Sequence, residues 1–144
     1  MQKDSFNRYS FLLDCTARRV KQYAQSQFNN QDFGITVDQW TILKTLNTYS
    51  DLSQKELAEH CGKDQPTLTR IVDLLVKKGY VERAMHHLDR RSFIVHLSEE
   101  GKAKINELEP KIRKIRMKAW ENLEEDDFHD LKRILDTIYN NLEI

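Results

Sequence analysis

The chain has 144 residues and a mass of 17.1 kDa, which suffices for one domain with a core but not for two independent ones. Hydrophobic residues make up 39% and charged residues 32%, with only 4 Gly and 2 Pro, a balance that favours helices and argues against a turn-rich all-β fold. The sequence contains neither a long apolar run nor an apolar segment of signal-peptide type. We therefore expect a mainly α, cytoplasmic protein with no membrane partner.

Charge is unevenly distributed along the chain, although the formal net charge is zero. Counting Lys and Arg against Asp and Glu gives 7 and 7 over residues 1–59, 7 and 4 over 60–96, and 9 and 12 over 97–144. The three segments therefore carry 0, +3 and −3. A local basic excess is what a polyanionic partner responds to, so the middle segment is the candidate for nucleic-acid contact.

Two helices are predicted in the first third of the chain. Apolar residues at helical spacing predict a long first helix over residues 5–29, which the sequence NNQDFG ends. Thr36 is the expected N-cap of a second helix that reaches residue 49 and buries Trp40.

Two short helices with a tight turn between them follow. Ser53 and Glu56 have the spacing of a capping box, which predicts the start of a third helix. Gly62 can adopt the left-handed conformation of a tight exit, and a fourth helix begins near Asp64 to Pro66. Gly79 is expected to end this fourth helix. Its predicted apolar face consists of Leu68, Ile71, Val72 and Leu75.

A β-hairpin is predicted next, from the segments YVER and FIVHL. Residues 84–92 would form a long loop between the two strands. In the second strand, alternation should place Phe93, Val95 and Leu97 on one side.

The last third of the chain is predicted to be helical. Ser98 is the expected N-cap of a fifth helix that continues to about Leu123, with a kink near Glu109 because Pro110 follows it. A final helix is expected over residues 125–142. The predicted fold class is thus mainly α with a small β-hairpin.

A short helix, a tight turn, a second helix with a polar face and a hairpin together indicate a winged helix-turn-helix. The polar helix would enter a major groove, and a basic hairpin loop would follow the DNA backbone or a minor groove. Asp89 would pair with Arg90 or Arg91, the two arginines in the hairpin loop, which we call the wing. The predicted DNA-binding residues are Lys63, Gln65, Thr67, Thr69, Arg70, Asp89, Arg90 and Arg91.

The chain resembles the MarR family of bacterial transcriptional regulators, from GITVDQWTILKTL through LSQKELAEHCGKDQPTLTRIVDLLVKKGYVER to DRRSFIVHLSEEG. The wing signature of that family maps onto Asp89, Arg91, Leu97, Ser98 and Gly101, with Ser98 in place of the usual Thr. The resemblance implies a homodimer that binds an inverted-repeat operator in double-stranded DNA. It also implies repression until a small molecule or an oxidant releases the DNA.

By the same resemblance, the chain is a single MarR-like domain. A winged-helix core over about 33–101 would be flanked by dimerisation helices at about 5–30 and 102–144. The apolar residues expected to need cover beyond one monomer are Phe6, Leu13, Phe28, Phe128, Leu131, Ile138 and Leu142.

Several residues have more than one interpretation. Cys15 could line an effector pocket, sense an oxidant or simply pack, whereas Cys61 fits a core position. Trp40 could line that pocket or belong to the core. His86 and His87 have no nearby ligand set with metal-site spacing, so we expect no metal and no cofactor.

Two other functional classes compete with DNA binding. No catalytic constellation is recognisable, so we expect the protein not to be an enzyme. A winged helix that binds another protein, without DNA, is the alternative; salt-dependent duplex affinity separates the two hypotheses.

Overall fold

The computed structural model describes residues 3–85, 88 and 92–144, and the side chain of Lys3 is not described. These residues form six α-helices, three short strands, a 3-10 turn and the segments that connect them. The helices are α1 Lys3–Asn30, α2 Val37–Tyr49, α3 Gln54–Cys61, α4 Gln65–Lys77, α5 Glu99–Met117 and α6 Glu125–Asn141. The strands are β1 Leu52–Ser53, β2 Val81–Met85 and β3 Phe93–Leu97. The mainly α class with a small sheet is confirmed.

Residues close in sequence set the helix boundaries. Thr36 and Gln39 form a reciprocal capping box at the start of α2, and Gly62 ends α3 with a left-handed φ of 63°. Ser53 caps α3 by accepting the Glu56 backbone N–H, but the predicted return bond from the Glu56 side chain is not observed, so this cap is half of the predicted box. Ser98 caps α5 as predicted.

The sheet has one strand more than the sequence suggested. β3 lies in the middle with β1 and β2 on either side, both antiparallel to it. β1 is only two residues long, too short to produce an alternating pattern. β2 continues to Met85, so the loop predicted from residue 84 starts later.

Only two of the three residues predicted on the apolar side of β3 contact the core. Val95 is buried and Leu97 packs against the core, but Phe93 is 48% exposed. Phe93 pairs with Met85 at the far end of the hairpin, beyond the reach of the helices that cover Val95.

The fifth helix is shorter than predicted at its C-terminal end. α5 passes through Pro110 but ends at Met117, and a single 3-10 turn, Lys118–Trp120, follows it. Its apolar face is buried against the winged-helix core through Ile105, Leu108, Ile112 and Ile115.

The N-terminal half of α1 is mostly exposed, and α6 is incompletely covered within the chain, with Leu131 and Ile138 only partly buried. Phe6, Leu13, Phe128 and Leu142 are between 39% and 67% exposed, and α6 has no buried residue. Phe28 was wrongly grouped with this surface. It is 1% exposed and packs edge-on against Phe33 at a ring-centroid distance of 5.1 Å.

Candidate nucleic-acid interface

The fourth helix presents its polar face because the opposite face is fixed in the core. Leu68, Val72 and Leu75 are each 0% exposed, and Ile71 packs beside them. Gln65 and Arg70 are exposed on the other side, whereas Thr67 and Thr69 are partly buried. The structure thus orients α4 as the sequence predicted.

A chain of hydrogen bonds organises the start of α4. Asp64 accepts the Thr67 backbone N–H at 2.8 Å and the Thr67 hydroxyl at 2.9 Å. The Thr67 oxygen in turn accepts a long bond from Arg70 Nη2 at 3.4 Å. The backbone hydrogen bond from Thr67, followed by the bond from its hydroxyl, lowers the pKa of the Asp64 carboxyl. The Thr67 hydroxyl is therefore engaged in the helix cap, whereas the Arg70 guanidinium is held less tightly, by a long hydrogen bond.

A second cluster joins α4 to the hairpin and was not anticipated from the sequence. Arg83 on β2 donates from Nε to Gln54 Oε1 at 2.7 Å and forms an ion pair with Asp73 at 2.6 Å. Its Nη2 also approaches the Thr69 carbonyl oxygen at 3.4 Å. The Thr69 hydroxyl accepts from Gln54 and donates to the Gln65 carbonyl oxygen. Thr69, predicted to face DNA, thus has its hydroxyl engaged within the protein.

Lys63, also predicted to contact DNA, forms an ion pair with Asp38 at the start of α2. The Nζ–Oδ1 distance is 3.2 Å, and Lys21 of α1 reaches the same oxygen at 2.8 Å. Burial would raise the pKa of the Asp38 carboxyl, but the hydrogen bonds and charges of Lys21 and Lys63 outweigh it and lower that pKa. Asp38 therefore links the turn before α4 to the first helix.

The predicted wing residues Asp89, Arg90 and Arg91 lie outside the described residues, as do His86 and His87. The strands that lead to this segment are described. β2 and β3 are paired along their full length, from Val81 opposite Leu97 to Met85 opposite Phe93, and Met85 and Phe93 at the far end are exposed.

The two candidate pocket residues do not share a cavity. Cys15 lines a mostly apolar cavity of about 490 Å³ between α1 and the end of α5, together with Arg19, Tyr23 and Arg116. Trp40 is 6% exposed and belongs to the core cluster. Cys61 packs against that core, where burial raises the pKa of its thiol.

Within residues 3–85, 88 and 92–144, no three His, Cys, Asp or Glu side chains lie close enough to hold a metal ion. In the same part of the chain, no helix is both long and apolar enough to cross a membrane.

The fold and the exposed face of α4 define a winged helix-turn-helix protein of the DNA-binding class. Residues 35–93 match the model of the MarR family. The chain is 29% identical to an uncharacterised HTH-type transcriptional regulator, YwoH of Bacillus subtilis, over 78% of this chain and 80% of that one. It is 26% identical to the HTH-type transcriptional repressor IacR of Pseudomonas putida, over 97% and 84% respectively.

A solved structure has the same fold. A mutant of MarR from E. coli, complexed with operator DNA, superposes with a TM-score of 0.84 at 23% identity, covering 94% of this chain and 96% of that one. The chain contains a MarR-family domain over residues 35–93, and it is a DNA-binding transcriptional regulator. These comparisons favour that function over the protein-binding winged helix.

Proposed function

We propose that this protein is a homodimeric repressor that binds an inverted-repeat operator through α4 and the wing and leaves the DNA when a small-molecule effector binds. The observation that carries the proposal is the exposed polar start of α4, where Gln65 and Arg70 project away from a fully buried apolar stripe. Long polar side chains at the start of a helix can reach base edges and phosphates in a major groove.

The exposed surface supports the dimer. One chain exposes 10940 Å², whereas a compact monomer of 17.1 kDa exposes about 7,800 Å². The excess is of the size that an obligate dimer buries. Because α6 is amphipathic and has no buried residue, a second copy is the proposed cover for its apolar face. The two copies of α4, which we call the recognition helices, would then lie about 34 Å apart, one turn of DNA.

The cavity lined by Cys15 is the proposed effector site. Its lining is mostly apolar and includes the residues Arg19 and Arg116, so the proposed effector is a small apolar molecule that carries an anionic group. Trp40 is assigned to the core instead. The proposed role is regulatory and not catalytic, and we place it in the cytoplasm, where bacterial operators lie.

Selection from random duplex DNA tests the proposal. The dimer is used to enrich bound fragments, the fragments are sequenced, and affinity for the winning sequence is measured from low to high salt. We expect an inverted repeat and an affinity that falls steeply with salt, since phosphate contacts release counterions. Enrichment of no sequence, or an affinity independent of salt, would contradict DNA recognition.

The start of α4 gives a sharper prediction. Arg70→Ala and Thr67→Ala should each weaken operator binding by about 1–3 kcal/mol if a base-edge contact is lost. Glu107→Gln on α5, remote from α4 in sequence, serves as a control. Equal losses by Arg70→Ala on operator and on random duplex would instead assign that side chain to phosphate. An unchanged operator affinity in both variants would show that neither Thr67 nor Arg70 contacts the operator.

A further inference from the structure

Polar side chains from several elements contact the first turn of α2. Asp38 binds Lys21 of α1 and Lys63 of the turn before α4. One residue further on, Gln39 Oε1 accepts from Lys78 at 3.0 Å. Lys63 and Lys78 come from opposite ends of α4, so both ends of the recognition helix are attached to the same turn.

The first helix is attached at this place as well. The Gln25 side-chain oxygen accepts the Val37 backbone N–H at 2.9 Å, one helical turn along α1 from Lys21. Lys78 also donates to the carbonyl oxygen of Gly34, in the segment that leads into α2. The turn therefore joins α1, which belongs to the proposed dimer surface, to α4.

We infer that Asp38 is a positioning residue for DNA binding: by holding Lys21 and Lys63 together, it fixes the angle between the dimerisation helix and the recognition helix. In a symmetric dimer, the angle between α1 and α4 determines the separation of the two recognition helices. Asp38 consequently selects the spacing of the operator half-sites and touches no base. Lys63 then acts through Asp38 and not through a phosphate.

Three features favour this role over that of an ordinary surface ion pair. One carboxylate oxygen serves two lysines from different elements, which are 17 and 25 residues away in sequence. The Lys63 side chain is 25% exposed and that of Asp38 is 34% exposed, so solvent screens the pair only in part. Nearby polar contacts hold the same turn to α1 and to the end of α4, so loss of the carboxylate alters an angle without dissolving the fold.

The inference rests on the proposed function, and operator spacing tests it separately. The probes are the selected operator and two derivatives, with one base pair inserted at or removed from its centre. The wild-type dimer should bind the selected spacing best. In Asp38→Asn, we expect affinity for the selected operator to fall about two- to fivefold, as for loss of a partly exposed ion-pair network. The preference for the selected spacing should fall by at least a similar factor.

Matched variants separate positioning from general effects. Asp38→Glu keeps the carboxylate and should restore most of the spacing preference, whereas Glu107→Gln removes one negative charge elsewhere and should leave it unchanged. Lys21→Met and Lys63→Met should each reduce the preference. Thermal unfolding of each dimer checks that the fold persists at the temperature of the binding assay.

Two results would overturn the inference. If Asp38→Asn retains the wild-type preference for the selected spacing, the carboxylate does not set the geometry. If Lys63→Met lowers the salt slope by about 1 per half-site and spares the spacing preference, Lys63 binds phosphate. A wild-type protein that binds no duplex would instead contradict the proposed function itself.

Discussion

Gly101 is required by a close approach and not by an unusual backbone angle. A Cβ atom at this position would lie 2.1 Å from the Tyr80 carbonyl oxygen and 3.3 Å from Leu97 Cδ2. The Gly101 backbone N–H also donates to the Ser98 hydroxyl oxygen, which caps α5. The residue therefore lets the first turn of α5 pack closely onto the backbone of Tyr80, in the turn between α4 and β2.

Gly101→Ala should consequently destabilise the protein, although alanine normally favours a helix. We expect a loss of about 1–3 kcal/mol from overpacking, which exceeds the gain of about 1 kcal/mol in helix propensity. Denaturant unfolding measures the change. Lys102→Ala, at the exposed neighbouring position, is the control and should be nearly neutral. A Gly101→Ala protein as stable as the wild type would mean that α5 can shift away from Tyr80.

Arg83 shows how one side chain joins a strand to two helices, α3 and α4. Its guanidinium meets Gln54, Asp73 and the Thr69 carbonyl oxygen at the same time. Only a planar group with several fixed donors can make these contacts together, so lysine is not an equivalent replacement. The contacts hold β2 against α4, and hence the base of the wing against the recognition helix.

Arg83→Lys should weaken both stability and DNA binding. We expect unfolding to become easier by about 1 kcal/mol, the contribution of a typical hydrogen bond, and amide hydrogens of β2 to exchange faster. Arg113→Lys is the matched control, because the Arg113 side chain is 70% exposed and lies 3.9 Å from its partner Glu109. If the two variants behave alike, the Arg83 cluster does not hold the hairpin.

The wing gives a second prediction at this scale. Replacing both Arg90 and Arg91 with Ala should reduce affinity for every duplex tested, because backbone contacts carry no sequence information. The salt slope should flatten by about 1 per lost contact in each half-site. The unfolding midpoint and the dimer should be unchanged, since a loop tip contributes little to a core. Unaltered affinity and slope would show that the hairpin does not contact DNA.

At the scale of the whole molecule, the terminal helices account for the large exposed surface of a single chain. α6 has an apolar face that includes Phe128 and Leu135, and both are about 40% exposed within one chain. Its first turn is acidic, which suits a helix N-terminus and leaves the apolar face as the surface for a partner. A second copy is the proposed cover for this face.

Leu135→Glu should therefore shift the protein from dimer to monomer at micromolar concentration, as measured by sedimentation. A charge buried without a partner is strongly unfavourable, so the dimer is destabilised more than the monomer. Asn140→Glu is the control, because helical spacing places Asn140 on the opposite face of α6. A wild-type monomer, or a Leu135→Glu dimer, would contradict the proposed interface.

The sequence by itself determined which segments are helical, the N-cap residues Thr36, Ser53 and Ser98, and the apolar face of α4, because these depend on residues within one or two turns of each other. Thr36 and Ser98 cap their helices through bonds to residues three positions on. Gly62 similarly ends α3 by its own backbone conformation. Such local preferences are legible before any tertiary contact is known.

The tertiary structure decided which contacts join segments that are distant in the sequence. β1 exists because Leu52 pairs with Val95, and a two-residue strand has no periodicity to detect. Phe28 is buried by a contact that helical spacing alone could not distinguish from a dimer contact. Lys63 forms an ion pair with Asp38, and Arg83 forms one with Asp73, because the fold brings these opposite charges close together. The identity of that partner depends on packing, so only the folded chain determines it.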